Sequence, residues 1–226
     1  MIAPPGQPVA ENERVARGLA AQLTALAEKR AAGAELIGWK IGLNAAPVQE
    51  HLGLSRPVVG HLTSRSLIGP GSSHPLAGGT RVGVEPEVAI HLGEGERIEA
   101  LGAAIEVVDL DPRLDALEPI LAANVFHRGV VLGPPVSGVG PEDLSDLTAV
   151  VTRNGVVEQR TAFAETGEHP GDIVTIVAER LALVGERLRP GEVIIAGSLT
   201  PIVFVESRDN IEVDLGPLGR LAIEFA

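Results

Sequence analysis

The sequence predicts an α+β fold: a curled, mostly antiparallel sheet with helices packed outside it. Three observations carry this. Two segments, one near the N-terminus and one near residue 175, repeat apolar residues at helical spacing. Most of the chain after residue 80 breaks into short Val- and Ile-rich stretches separated by turn residues. No strand–helix–strand rhythm is sustained, which argues against a doubly wound parallel sheet.

Taken in order, residues 11–32 (ENERVARGLAAQLTALAEKRAA) read as an amphipathic helix, with Val15, Leu19, Leu23 and Leu26 on one face and Gly33 placed to end it. Residues 35–43 read as a buried strand, followed by a short helical turn around Ala45–Leu52. Residues 69–80 (GPGSSHPLAGGT) are dense in Gly, Ser and Pro and read as a mobile loop, either closing over a substrate or serving as a passive connector. Residues 81–93 and 100–110 are strand-like by their β-branched content, and 114–124 suit a helix. Residues 147–160 form a hairpin in this reading, because Asn154-Gly155 fits a type I′ turn between two Val-rich arms. Residues 171–185 suit a helix with Ile173, Ile176, Val177, Leu181 and Val184 on one face, and four more short strands fit between Glu192 and Phe225. The chain is expected to be one domain over 1–226, with its N-terminal helix inside 1–34.

Composition narrows the function. The 226 residues are enough to bury a sizeable core, but aromatics are only 2%, so the core must be built from Val, Ile, Leu and Ala. There is no Cys, which excludes disulfides, thiolate zinc sites and a cysteine nucleophile. A net charge of −12 argues against nucleic acid as a partner, and an anionic substrate would need local positive charge from Lys, Arg or a metal. No apolar run approaches a membrane span, and the first residues (MIAPPGQPVA) lack the basic and apolar regions of a secretory signal, so a cytoplasmic protein is expected.

Only two lysines occur, Lys29 and Lys40. Lys29 lies in a charged run and is expected in solvent. Lys40 lies among Leu36, Ile37, Trp39, Ile41 and Leu43, either as a functional group or as a strand residue whose tip reaches solvent. Glu85 and Glu87 are two apart, so on a strand both carboxylates leave one face. Pro86 between them suits an edge or a bulge. Like charges side by side need a cation, an Arg or simply water; an exposed acidic edge is the plain alternative. Glu106, flanked by Ala, Ile and Val, must be paired or bind metal if buried, whereas Asp109 would face the other way. Three carboxylates without Cys call for a hard cation, Mg²⁺ or Mn²⁺. The six histidines show no zinc-like spacing and read as loop or packing residues.

GWKIGL (38–43), GVEPEVAI (83–90), AIEVVD (104–109) and LRPGEVIIAGSL (188–199), in this order, resemble the 2-keto-4-pentenoate hydratase/4-oxalocrotonate decarboxylase family of the fumarylacetoacetase-like superfamily. The resemblance runs from about Leu36 to the C-terminus. It implies a fumarylacetoacetase C-terminal-like mixed β-roll around a divalent metal held by Glu85, Glu87 and Glu106. It also implies a substrate-facing Lys40 and a pocket segment containing Gly197 and Ser198. Asn124 stands where the family often has Asn. A small carboxylic acid substrate, a homo-oligomer and association with a related pathway enzyme are implied as well.

The match departs from the family in LGLSRPVVG (52–60), where Val58 follows Pro57 at a position that many family hydratases fill with Asp. An aliphatic side chain does no acid–base work, so the departure bears on water addition more than on metal binding. Arg56, His61 and Ser64 are the nearby polar candidates to compensate. The expected activity is a metal-dependent lyase on a small 2-hydroxy-dienoate or 2-oxo acid, a hydratase first and a decarboxylase second. C–C hydrolysis of acylpyruvates fits less well, because branches with that activity usually carry Asp as third ligand. A non-catalytic partner subunit is the non-enzymatic alternative.

Overall fold

A computed structural model describes residues 10–111, 113 and 115–226. The first ten residues, from which no secretory signal is expected, lie almost wholly outside these residues, as does Leu114, the first residue of the expected 114–124 helix.

The chain opens with α1 (Glu11–Ala31), which buries Val15, Leu19 and Leu26 and hands over to Gly33 at φ 87°. Then come β1 (Leu36–Gly42), α2 (Ala46–Leu52), β2 (Val58–Thr63) and β3 (Ser73–His74). Two long strands follow, β4 (Val82–Leu92) and β5 (Ile98–Asp109), then α3 (Leu117–Ala122) and β6 (His127–Leu132). The hairpin is β7 (Thr148–Arg153) and β8 (Val156–Ala162), with Asn154 and Gly155 both at positive φ, as a type I′ turn demands. After α4 (Phe163–Thr166) and α5 (Pro170–Ala182), the last strands are β9 (Val193–Ile195), β10 (Val203–Phe204), β11 (Asn210–Asp214) and β12 (Arg220–Phe225). The four strands expected after Glu192 are therefore present.

One sheet has the order β2-β1-β9-β4-β5-β6, with β10 also on β4; the other has the order β3-β12-β11-β7-β8. The pairs β1–β9 and β3–β12 are parallel and the rest antiparallel. The main core lies between the sheets: Trp39, Ile41, Val88, Ile90, Leu101 and Ile105 meet Val151, Val213, Leu221 and Ile223, with Ile173 and Val177 of α5 beside them. Strand alternation then turns Lys40, Glu85, Glu87 and Glu106 to the opposite face. On that face Leu62 of β2 and Val130 of β6, from the two ends of the strand order, join Ala89, Ala104 and Ile195 in one cluster. The sheet is thus curled into a roll, tied where Ile68 N donates to Val130 O at 2.8 Å.

Three expectations change. The 114–124 helix contracts to α3, because Asn124, Val125 and Phe126 take left-handed backbone (φ 61°, 53° and 63°). The 69–80 segment contains β3 and is bonded to the C-terminal strand, with Gly71 N on Ala222 O at 2.8 Å and Leu76 N on Ala226 O at 2.9 Å. Pro86 is not on an edge strand: β4 pairs with β5 along its length and with β9 and β10 near either end of its other side.

Close approach constrains the roll at Gly38, where a Cβ would stand 1.9 Å from Val193 O. Gly38→Ala is expected to destabilise the protein by about 3 kcal/mol, because backbone must move. Gly155→Ala, left-handed but with open space around it, is expected to cost about 1 kcal/mol. Urea unfolding of both variants checks the contrast.

Candidate active site

The register of β4 and β5 builds the site. Glu85 stands directly opposite Glu106, and Glu87 lies two residues along on the same face. Two opposed like charges destabilise a ladder, so the surroundings must offset them. The gap at Pro86 supplies part of the answer. Leu199 N donates to Pro86 O (2.9 Å) and Ala196 N to Val88 O (3.0 Å), so the residue without an N–H faces the break between β9 and β10. The 196–199 turn fills that break. Gly197, at φ 85°, donates its N–H to Glu87 Oε2 at 2.7 Å, and a Cβ there would crowd Asn44 Nδ2 at 3.0 Å.

Ligand atoms of Glu85, Glu87 and Glu106 lie within 4.8 Å of one another. Lys40 Nζ is 2.7 Å from Glu106 Oε2 and donates to Val125 O at 3.1 Å. On the far side, His127 Nδ1 is 2.7 Å from Glu106 Oε1. Glu87 and Glu106 are fully buried and Glu85 half-buried. Burial and the neighbouring Glu106 charge push Glu85 up to about 7, with Lys40 opposing. Burial, Glu106 and Glu85 together hold Glu87 well above the carboxylate range. Glu106 goes the other way: burial raises it, but Lys40 and His127 outweigh burial and hold it low. For Lys40, burial pulls the pKa down while Glu106, Glu85 and Glu87 raise it further, so it stands above the ordinary lysine value.

The donor set fits a hard divalent cation. It is all carboxylate, and among the described residues Glu87 Oε1 and Glu106 Oε2 are buried without a hydrogen-bond partner, the contact from Lys40 to the latter being close but out of alignment. Glu85 and Glu87 open onto a cavity of about 420 Å³, lined also by Lys40, Gly197 and Ser198 and walled by Leu43, Val108, Val125, Phe126 and Ile202, with Glu106 behind them.

The structure brings together Lys40, Glu85, Glu87, Glu106, Gly197 and Ser198. Ser198 lines the cavity, with its hydroxyl donating to Thr200 O at 2.7 Å. Asn124 does not line it: its side chain clamps β2, accepting from His61 N at 2.7 Å and donating to His61 O at 3.0 Å. That clamp holds the left-handed turn that presents Val125 O to Lys40. Asp109 stands apart from the cluster, accepting from Thr80 N and Arg81 N. Val58 packs with Val15, Leu19 and Leu117. Arg56 pairs with Glu179, and neither it, Ser64 nor His61 lines the cavity. Lys29 is exposed as expected, yet its Nζ reaches His61 Nε2 at 3.3 Å. His61 is a packing histidine, pushed down to about 3 by burial and then by the Lys29 and His127 charges. His127 is not: it bonds Glu106, a contact that the spacing of the histidines does not reveal, because nothing local shows that β6 pairs with β5. Arg81 and Asn44 also line the cavity; Arg81 carries a legible signal in its period-two spacing from Glu85 and Glu87.

The raised pKa of Glu85 has a sign that can be tested. Between its ordinary value of 4.5 and about 7 the folded chain holds a proton the unfolded chain has lost, so this contribution is present at low pH and is lost as pH rises through that window. In EDTA, Glu85→Gln is expected to be more stable than the unsubstituted protein at pH 8, on the order of 1–3 kcal/mol, and to lose that advantage at pH 5. Mg²⁺ should raise the unsubstituted protein's melting temperature more at pH 8 than at pH 5, because only ionised carboxylates bind it. Thermal melts at both pH values read both effects.

Among the described residues, no helix is long and apolar enough to cross a membrane. Comparison with known proteins gives one consistent family. The fumarylacetoacetate (FAA) hydrolase C-terminal family matches residues 25–226. The chain is 28% identical over 217 residues to a 2-oxo-hept-4-ene-1,7-dioate hydratase of Escherichia coli, covering 87% of this chain and 81% of that one. It is 29% identical over 207 residues to a 2-keto-4-pentenoate hydratase of Burkholderia vietnamiensis, covering 85% and 79%. In structure it is similar to the 4-oxalocrotonate decarboxylase of Pseudomonas putida G7, solved with magnesium and adipate, at a TM-score of 0.80 and 20% identity over 98% of this chain and 100% of that one. The family match over most of the chain and the likeness of fold agree, and the chain belongs to the fumarylacetoacetate hydrolase C-terminal family.

Proposed function

We propose that this protein is a divalent-metal-dependent lyase acting on a small 2-hydroxy-dienoate or 2-oxo acid, with water addition of the 2-keto-4-pentenoate hydratase kind as its reaction. The observation that carries the reading is the meeting of three inward carboxylates, Glu85, Glu87 and Glu106, beside a cavity that Glu85, Glu87 and Lys40 line. In this reading Glu85, Glu87 and Glu106 hold Mg²⁺ or Mn²⁺. Bound there, the ion supplies Lewis acidity toward the carboxylate and adjacent oxygen of a 2-oxo acid. Lys40, kept as ammonium by the three carboxylates and fixed by Val125 O, holds a proton at Nζ and orients an anionic substrate. Gly197 steadies Glu87 through its N–H, and Ser198 offers a polar wall. The apolar walls limit water, which strengthens each of these interactions. The names of the hydratase relatives support hydration.

Decarboxylation is the second reading, favoured by a specific observation. Val58 is buried in an apolar cluster, and the remaining cavity carboxylate, Asp111, is engaged by Arg113 at 2.8 and 3.0 Å and lowered to about 2, a poor base for activating water. Loss of CO₂ needs no such base. A single-domain, cytoplasmic homo-oligomer and association with a related pathway enzyme belong to the same proposal; the exposed Val156 and Val157 on β8 support a protein contact.

The test is an ultraviolet assay with 2-hydroxypenta-2,4-dienoate and with 2-oxo-hex-3-enedioate, in Mg²⁺, Mn²⁺ and EDTA. Metal-dependent loss of dienoate absorbance, reduced about 10²–10⁴-fold in Lys40→Ala, is expected for the hydratase. Turnover of the second substrate alone, with CO₂ release, would assign the decarboxylase. Silence on both, with metal bound, would contradict catalysis and leave the partner-subunit alternative.

A further inference from the structure

Arg81, immediately before β4, shares the period-two face of Glu85 and Glu87 and lines the same cavity. Its backbone N–H is bonded to Asp109 Oδ1 at 2.7 Å, whereas its guanidinium meets no hydrogen-bond acceptor or carboxylate among the described residues. The guanidinium lies over the Phe204 ring, its Cζ 3.8 Å from the centroid. Phe204 pairs with Gly83, one alternation closer to Glu85, so the cation leans back along the strand toward the carboxylates. Gly83 permits this, because a Cβ there would stand 2.5 Å from Ile202 Cγ2 and push Ile202 and Phe204 away. The register position of Phe204 lies two residues, roughly 7 Å, from Glu85, a separation of short-diacid length.

The cavity's charges are therefore unequal. Lys40 stands with the carboxylates. Asp111, the further acidic residue of the lining, is already engaged by Arg113 in a bidentate pair. Arg81 is the one lining cation besides Lys40 and has no anion of its own among the described residues. A guanidinium that packs on a ring makes no hydrogen bond to it, so its N–H donors stay available to recognise a carboxylate.

We infer that Arg81 anchors a second, distal carboxylate, so that the substrate is a dicarboxylic 2-oxo or 2-hydroxy-dienoic acid rather than a monocarboxylate. This rests on the metal-site reading above for the near end of the substrate. Val108, Leu110 and Ile202 line the cavity with these groups and suit the carbon chain of such a diacid.

Two unreactive ligands of equal chain length isolate the distal group: 2-oxohexanedioate and 2-oxohexanoate. Calorimetric titration of each, in Mg²⁺ and in EDTA, compares the unsubstituted protein with Arg81→Met and Arg81→Lys. The diacid is expected to bind at least tenfold tighter to the unsubstituted protein. Arg81→Met should bring the two ligands within about threefold, and Arg81→Lys, which keeps the charge but not the fork, should fall between. Both substitutions retain the backbone bond to Asp109, and a melting curve confirms folding. Equal affinities in the unsubstituted protein, or a diacid preference that survives Arg81→Met, would overturn the role of Arg81 while leaving the metal site standing. Failure of both ligands to bind more tightly in Mg²⁺ than in EDTA would overturn the metal-site reading, and this inference with it.

Discussion

Three carboxylates packed into one buried corner are the constraint around which this structure is arranged. Each buried ion costs several kcal/mol unless it is paired. Here the compensation is distributed: Lys40 and His127 bracket Glu106, and the Gly197 N–H takes Glu87. Among the described residues Glu85 has no such hydrogen-bond partner, and burial with the Glu106 charge pushes it up to about 7 instead. In the proposed reading, a hard divalent ion supplies the positive charge that Glu85 and Glu87 otherwise lack.

Each compensating group depends on a departure from regular structure. Gly197 reaches Glu87 because β4 is flanked by two short strands with a break between them, and Pro86 occupies the residue whose N–H would otherwise face that break. Val125 O reaches Lys40 because three consecutive residues after α3 adopt left-handed backbone, locked by the two hydrogen bonds between the Asn124 amide and the His61 backbone of β2. His127 reaches Glu106 from the first residue of β6, beside the register shift between β5 and β6. The apolar core between the two sheets supplies the rigidity; the opposite face of the first sheet carries the chemistry.

Much of this was legible in the residues. Val15, Leu19 and Leu26 marked α1, Asn154-Gly155 marked the hairpin turn, and the two-residue spacing of Glu85 and Glu87 placed them on one face. Glu106 was legible as a charge in an apolar run. What stayed hidden was long-range. Nothing local announces that His127 will lie against Glu106, 21 residues away, or that Asn124 will clamp β2 at His61, 63 residues away. Pro86 by itself suits an edge or a bulge, and the break beside it is hidden for the same reason: it is made by strands from more than a hundred positions further along the chain. The Gly- and Pro-rich 69–80 segment misled by composition, since its pairing partner is the C-terminal strand.

The central claim is that Glu85, Glu87 and Glu106 together hold one divalent ion. The most direct measurement is anomalous diffraction from crystals grown with Mn²⁺. The account predicts a single strong peak between the three carboxylates, within about 2.5 Å of an oxygen from each, with Lys40 beside it. A peak elsewhere with none at the triad, or an empty triad at saturating Mn²⁺, would contradict it.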